Sequence, residues 1–490
     1  MSLYQRLHGH AEFQPDKTAI ESEAGALTYH QLEVLTVQCV SYFKSVGLEP
    51  GDRVAILALN HPDWFISVFA AAQCGVVLVP LNWRLSVDEL GYVIGDSAPK
   101  LLLHDEEFAE TAAALQSMFN NLPAGRFGSS EFPPKPVDDQ ELSNQSSSDV
   151  SAPLLIVYTS GTTGRPKGAV LNQKALMCSA EMSQHMTDLT VNDRVLNVLP
   201  LFHVGGLNIQ PLPALLFGAT LVLQTRFIPD EAVTALSEKE ITLINSVPTL
   251  LQAMLASPLW SSEKFKTLRA ISIGSTDVPV SLINQVHDNG IPLIQVYGAT
   301  ETSPVAIYQR IEHASLAGCI GRAGLLCDIR LCDTEGKEVA PGQSGEIQVK
   351  GDNVLSHYWN DREATDSSLK DGWFRTGDVA HQDDDGFYWF DDRLKHVVIS
   401  GGENIYPAEL ERVIREVAGV DEVAVVAKAD ERWGEVPVAV IAGSADKDAV
   451  LGSCESLAKF KRPKDVVFVE ALPRNALGKI QVQEVRKLIE

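Results

Sequence analysis

Residues 158–168 read Tyr158-Thr159-Ser160-Gly161-Thr162-Thr163-Gly164-Arg165-Pro166-Lys167-Gly168, directly after the apolar run Leu154-Leu155-Ile156-Val157. A short aliphatic run bounded by turn-forming residues predicts a buried strand. Gly161 and Gly164 let the backbone bend and approach a ligand. Thr159, Ser160, Thr162 and Thr163 add hydroxyl donors and Lys167 adds a point charge, so the loop is suited to phosphate. It does not follow the GxxxxGK[ST] pattern: Gly168 follows the lysine, leaving no hydroxyl for a metal at that position.

Outward from this loop the chain alternates strand and helix. Residues 53–57, 76–80, 101–103 and 154–158 read as strands, and 64–75 as a buried helix stopped by Gly75. Further strands are expected at 195–199, 220–223, 241–245, 269–273 and 293–296, with a helix at 231–239. This rhythm predicts α/β architecture with largely parallel sheets covered by helices. From about residue 320 the strands shorten and turns multiply, which predicts a small, mostly antiparallel sheet or distorted barrel. The last hundred residues read as a separate α+β unit. Its helix begins at Pro407 and carries the stripe Leu410, Val413, Ile414 and Val417. Strands are expected there at 423–427, 436–441 and 466–469, with a helix around 447–458. The polar stretch 133–150 reads as a loop.

Composition narrows the function classes. The 490 residues suffice for about two to four domains. A net charge of −24 argues against a nucleic-acid coat or a polybasic membrane binder. Seven scattered cysteines do not form a disulfide framework. The first residues lack an apolar signal region, and the apolar stretches near 68–80 and 211–223 are broken before reaching spanning length. The expectation is a cytoplasmic enzyme without an integral membrane segment or nucleic-acid partner. Residues 391–490 carry only about −3 of the charge and are locally basic at Lys459, Lys461, Arg462, Lys464, Arg474 and Lys479. Charge alone leaves two readings of that end open: a solvated face, or a surface offered to a small anion.

The glycine-rich loop resembles the signature of the AMP-forming adenylate enzymes, and the resemblance runs from about residue 10 to 485. Pro200-Leu-Phe-His-Val-Gly-Gly206 is similar to the family's acyl-site loop, and Tyr297-Gly-Ala-Thr-Glu301 to its adenine and magnesium motif. Trp373-Phe-Arg-Thr-Gly-Asp378 is similar to its ribose motif. Asp392-Arg-Leu-Lys395 and Ser400-Gly-Gly-Glu-Asn-Ile-Tyr-Pro407 resemble its hinge and the following loop, and Pro473-Arg-Asn-Ala-Leu-Gly-Lys479 its C-terminal lysine motif. Six ordered motifs at family-like separations make the resemblance to the adenylate enzymes specific. The acyl- and aryl-CoA synthetases are the branch expected, although the motifs do not separate CoA ligation from luciferase chemistry. The resemblance implies a large N-terminal domain of several subdomains, residues 1–392, with parallel α/β sheets and a small barrel-like part. A mobile α+β lid, residues 393–490, would follow. It implies ATP, Mg²⁺ and coenzyme A as cosubstrates and cofactor, a small carboxylic acid as substrate, and leaves room for a homodimer.

The resemblance also assigns roles. Thr159, Ser160, Gly161, Thr162, Thr163, Gly164 and Lys167 would hold the β- and γ-phosphates. Tyr297 would stack on adenine beside Ser275 and Gly298. Thr300 would donate to the α-phosphate, and Glu301 would hold Mg²⁺. Asp378 would accept from the ribose hydroxyls, with Arg393 beside ribose or phosphate. Lys395 would be the hinge, and Lys479 the adenylation lysine. Gly401 and Gly402 would border the pantetheine path and Trp433 the bound CoA, with Lys459, Lys461, Arg462 and Lys464 as looser candidates for CoA phosphates. His203, Asn208, Ser246, Thr249, Gly274, Ala299 and Ser303 would line the acid pocket, where His203 would act near the carboxylate. Two departures stand out: Gly274-Ser275-Thr276 replaces a glycine run, and His396 replaces the usual Asp after the hinge. The pocket shows no arginine for a second carboxylate. The expected acid is aromatic, cinnamate-like or medium-chain. A long-chain fatty-acyl ligase and a non-catalytic adenylate-binding or scaffold protein are the alternatives.

Overall fold

The computed structural model describes residues 1–120, 122–128, 149–159, 166–275, 278–400, 403–430, 433–457, 459, 461–474 and 480–489. The expected loop at 133–150 falls almost wholly outside them. The chain forms two compact units: Met1–Ile329 with Val349–Phe374, and Arg330–Gln348 with Arg375–Glu490.

The first unit holds two sheets. One runs in the order His357–Tyr358, Lys167–Asn172, Pro153–Thr159, Val77–Pro80, Arg53–Leu57, Leu101–His104 and Ala124–Arg126. Its centre is parallel, with Val54 opposite Leu78 and Leu101. The strand before the opening loop is Pro153–Thr159, as the aliphatic run predicts. It then turns back antiparallel into Lys167–Asn172, with Tyr158 opposite Gly168 and Thr159 opposite Lys167. The strands on either side of residues 160–165 are therefore antiparallel neighbours. Gly168 is required by packing, since a Cβ there would lie 2.7 Å from Ile156 Cγ2.

The second sheet is parallel across Thr18–Ser22, Thr220–Leu223, Arg194–Asn197, Leu243–Ser246, Ala270–Gly274 and Leu293–Tyr297. Gly25–Thr28 pairs antiparallel at one side and Ile307–Tyr308 at the other. The helix Asp63–Cys74 is buried along its length to Gln73 and ends at Gly75 in the left-handed conformation, φ 79°. It shares one core with Val54, Leu78 and Leu155 of the first sheet and Ile20, Leu221 and Leu223 of the second. Each large side chain buried there contributes about 1.5–3 kcal/mol relative to exposure. The polar ends of two large core side chains are paired: Trp64 Nε1 donates to Leu59 O at 2.8 Å, and Tyr29 Oη to Ala219 O at 2.7 Å.

In the second unit, Asp378–Gln382 pairs antiparallel with Tyr388–Arg393. The C-terminal lobe carries Glu403–Ile405, Val398–Ser400, Gly434–Gly443 and Val420–Asp430 side by side, and Asp465–Val469 lies parallel to Gly434–Gly443. The helix Pro407–Arg415 buries Leu410 and Ile414, with Val413 and Val417 packed beside them. The second expected helix is shorter than expected, Lys447–Ser453 with one tight turn after it. This unit runs across the expected cut at residues 392/393. Buried Asp392 accepts from Ala408 N at 2.7 Å and Arg412 reaches Phe390 O at 3.5 Å, fastening the strand before the cut to the helix after it.

Asp391 accepts from Ser344 Oγ at 2.7 Å and bonds His381 Nδ1 at 2.8 Å. The hydrogen bond to Asp391 raises the His381 pKa above its ordinary value, against the opposing effect of burial. A raised folded-state value means that this pair stabilises the fold fully below the unfolded pKa of about 6.5, and that the contribution is lost as pH rises through the folded value. The difference in thermal midpoint between wild type and His381→Gln should therefore be largest near pH 6 and shrink towards pH 9. A pH-independent difference would contradict the assignment.

Candidate functional site

In a parallel sheet, the loops after the strands meet at the carboxyl edge, where ligands bind. In the first unit, most sequence-selected residues stand at that edge of the second sheet. Ser246 ends Leu243–Ser246, Gly274 ends Ala270–Gly274, and Tyr297 ends Leu293–Tyr297. His203 lies beyond Arg194–Asn197, at the start of the short helix Val204–Asn208.

Three glycines are imposed by the chain's own close approaches. A Cβ at Gly206 would lie 2.1 Å from Pro200 O, at Gly274 2.2 Å from Val296 O, and at Gly298 1.5 Å from Pro304 O. The bend after Tyr297 is tied by Thr302, whose Oγ1 accepts from Ala299 N at 3.0 Å and donates to Pro304 O at 3.1 Å. Ser275 takes the left-handed backbone at φ 74°, a conformation that favours glycine. Its Oγ lies 3.8 Å from the Cβ position of Gly205, so the departure from a glycine run places a hydroxyl beside the His203 loop.

Two of the expected pocket residues are brought into contact. Asn208 Nδ2 donates to Ser303 O at 3.3 Å, and both residues are buried. Asn245 Nδ2 reaches Gly205 O at 3.5 Å, while Ser272 Oγ donates to Asn245 Oδ1 at 2.8 Å and accepts from Gln210 Nε2 at 3.1 Å. Gln210, Asn245 and Ser272 thus form a polar layer beneath the His203 loop that sequence reading missed. The polar positions of Asn245 and Ser272 within apolar strands were the available signal; Gln210, ahead of the helix Pro211–Leu216, carried none. His203 packs on Phe202, with centroids 4.2 Å apart, and Phe202 meets Trp83 edge-on. Thr249 is exposed on the helix Pro248–Leu255.

Lys167 and Glu301, 134 positions apart in sequence, meet through a residue that no motif contained. Tyr358 Oη donates to Glu301 Oε1 at 2.8 Å, and Lys167 Nζ lies 5.8 Å from the centroid of the Tyr358 ring. Burial, then the Glu301 charge, pushes the Tyr358 phenol well above its ordinary pKa, so it stays a donor. Lys167 also lies 4.0 Å from Asp361 Oδ2. The Glu301 carbonyl accepts from Leu355 N at 2.7 Å. Among the described residues, no three His, Cys, Asp or Glu side chains converge as a metal cage. Glu301 nevertheless offers a hard anionic oxygen, and one carboxylate suits a small divalent cation that keeps water and phosphate ligands. Thr300 precedes it on the same tight turn.

In the second unit, buried Asp378 stands opposite Arg393, whose Nε lies 3.2 Å from Asp378 Oδ1. The half-exposed arginine makes this pair worth only about 0–1 kcal/mol. The motif leading to Asp378 is anchored on buried Glu346, which accepts from Gly377 N at 3.2 Å and Arg375 Nε at 3.0 Å. Glu346 was also missed, although its Gly-Glu-Ile setting is visible in the sequence. Trp433 is exposed on its lobe. Lys461 is held by both oxygens of Glu409, at 2.9 and 2.8 Å, and Arg462 by the carbonyls of Leu457 and Glu455, so these two serve the lobe's own structure. Lys395 lies on the short turn Leu394–His396, and its side chain lies outside the described residues, as do Ser160, Gly161, Thr162, Thr163, Gly164, Gly401, Gly402 and Lys479.

Known proteins resemble this chain along its whole length. The model of the AMP-binding enzyme family matches residues 7–359, and that of the AMP-binding enzyme C-terminal domain matches residues 409–479. An indoleacetate–CoA ligase from Aromatoleum aromaticum is 43% identical, with 100% of this chain and 98% of that protein covered. A feruloyl-CoA synthase from an Amycolatopsis species is 40% identical over 97% of each. The structure of o-succinylbenzoate coenzyme A synthetase from Bacillus subtilis, in complex with ATP and magnesium ion, superposes with a TM-score of 0.87 at 30% identity, covering 98% of this chain and 99% of that one. The same enzyme carrying its acyl-adenylate intermediate also gives 0.87.

The glycine geometry separates two neighbouring substitutions. Gly298→Ala must displace backbone and should cost about 1–3 kcal/mol, read as a lower thermal midpoint. Gly205→Ala meets nothing closer than 3.8 Å and should leave the midpoint nearly unchanged.

Proposed function

The chain belongs to the AMP-binding enzyme family, and on that premise we propose that it is an AMP-forming acid:CoA ligase acting on an aromatic carboxylic acid. The observation that carries the reading is the meeting of Lys167 and Glu301 on Tyr358, a cation and a hard oxygen ligand gathered where the phosphate loop and the Tyr297–Glu301 motif adjoin. The likeness to indoleacetate– and feruloyl-type CoA ligases over nearly the full chain supports both the reaction and the aromatic class. The buried polar layer of Asn208, Gln210, Asn245 and Ser272 supports a compact, mixed-polarity acid over a long aliphatic tail.

The chemistry must overcome repulsion between two anions, the substrate carboxylate and the α-phosphate of ATP. Lys167 and the loop hydroxyls hold the β- and γ-phosphates, and Thr300 donates to the α-phosphate. Glu301 holds Mg²⁺, which supplies charge neutralisation of the phosphates when bound. The B. subtilis enzyme, solved with ATP and magnesium ion, supports magnesium as the companion of the nucleotide. A carboxylate oxygen attacks the α-phosphorus, pyrophosphate leaves, and an acyl-adenylate forms. The sulfur of CoA then attacks the acyl carbon and AMP leaves. His203 steadies the carboxylate, Tyr297 stacks on adenine, and Asp378, whose two oxygens match two vicinal hydroxyl donors, takes the ribose. Lys479 bridges carboxylate and α-phosphate in the first step. Residues 393–490 then reorient about Lys395 so that Gly401, Gly402 and Trp433 serve CoA. The cytoplasm, where ATP and CoA are supplied, is the compartment this reading assigns.

Two experiments test it. With ATP, Mg²⁺ and CoA, thioester formation should be fastest for an indole-, phenyl- or cinnamate-type acid among a panel extending to fatty acids. A preference of about tenfold or more for a fatty acid would overturn the substrate class alone, whereas absence of AMP formation with every acid would overturn the ligase reading. Lys479→Ala should abolish acid-dependent pyrophosphate release while largely sparing thioester formation from supplied acyl-adenylate; equal loss of both would remove Lys479 from its role.

A further inference from the structure

Residues 353–359 connect the two halves of the phosphate site. Buried Asn353 donates through Nδ2 to Thr302 O at 3.3 Å and to Val305 O at 2.8 Å. Leu355 N donates to Glu301 O at 2.7 Å. The same segment then grips the hairpin: Ser356 N donates to Val170 O at 3.0 Å, Trp359 N to Gly168 O at 2.7 Å, and His357–Tyr358 pairs antiparallel with Val170 and Ala169. The Glu301 backbone is therefore fixed by one end of the segment, and the strand that begins at Lys167 by the other. Tyr358 sits at the junction, with its hydroxyl on the Glu301 carboxylate and its ring facing the Lys167 ammonium.

A ligating carboxylate can rotate about its last side-chain bonds, and a hydrogen bond from a neighbouring group removes that freedom. Such outer partners alter metal affinity without touching the metal. The ring face contributes separately, by attracting the ammonium electrostatically. We propose that Tyr358 is a positioning residue that serves two ligands at once: its hydroxyl orients Glu301 towards the divalent cation, and its ring orients Lys167 towards the nucleotide phosphates. This inference rests on the proposed ligase reading, because it takes Glu301 and Lys167 as cation and phosphate ligands.

The two contacts can be separated in the full-length protein. Tyr358→Phe removes the hydroxyl and keeps the ring, while Tyr358→Leu removes both. Mn²⁺ binding, followed by the electron paramagnetic resonance of the free ion in the presence of α,β-methylene ATP, reads the cation. Metal-free binding of the same analogue reads the phosphate contact. Tyr358→Phe should weaken Mn²⁺ binding about tenfold and leave metal-free analogue binding unchanged. Tyr358→Leu should weaken both. In a Glu301→Gln background, Tyr358→Phe should have no further effect on Mn²⁺. Wild-type Mn²⁺ affinity in Tyr358→Phe, or an undiminished effect without the Glu301 carboxylate, would overturn the positioning role while leaving the ligase reading intact. A wild-type protein that binds no Mn²⁺ with the analogue would overturn the cation role of Glu301, and this inference with it.

Discussion

The hydrogen bonds that fasten residues 353–359 to the Thr300–Thr302 turn on one side and to the Lys167–Asn172 strand on the other are the constraint on which the proposed phosphate site depends. A carboxylate and a phosphate ester repel each other, so a site that joins them needs positive charge and donors held in place before the reactants arrive. Here the lysine comes from a hairpin of one sheet and the acidic ligand from the carboxyl edge of another. Neither sheet alone would fix their separation. The connecting segment does so largely with main-chain donors and acceptors, which resist displacement better than long side chains.

The same logic explains the glycines around the site. Gly206, Gly274 and Gly298 stand where the backbone is crossed by another carbonyl at less than 2.5 Å from a notional Cβ. Each lies in or beside a motif, and each is already demanded by the packing of the chain on itself. Ser275 is the converse case. It adopts a backbone conformation suited to glycine and carries a side chain, and the hydroxyl it brings stands beside the loop that carries His203.

Much of this was legible in the sequence. The aliphatic runs located the strands to within a residue or two, because a buried parallel strand tolerates little else. The return strand Lys167–Asn172 was not foreseen, since a hairpin and a strand-to-helix turn share the same glycine-rich opening. Tyr358, Glu346 and the layer of Gln210, Asn245 and Ser272 also escaped notice. Each acts through a partner distant in the chain, and local spacing does not reveal that partner. Lys461 and Arg462 illustrate a reading that charge leaves open: in the structure Glu409 holds the one and two carbonyls the other. Local sequence cannot tell a charge reserved for a ligand from one spent on the fold.

By itself the sequence determined the α/β class, the ordered motifs and the chemical character of each candidate ligand, because these follow from residue type and from spacings of a few positions. Tertiary structure alone decided which of these residues meet. The contact of Tyr358 with Glu301 and Lys167, the register that sets Asp378 opposite Arg393, and the anchoring of Gly377 on Glu346 join positions tens to hundreds of residues apart. Such pairings are set by sheet order and by hydrogen bonds across the fold, and no local pattern encodes them.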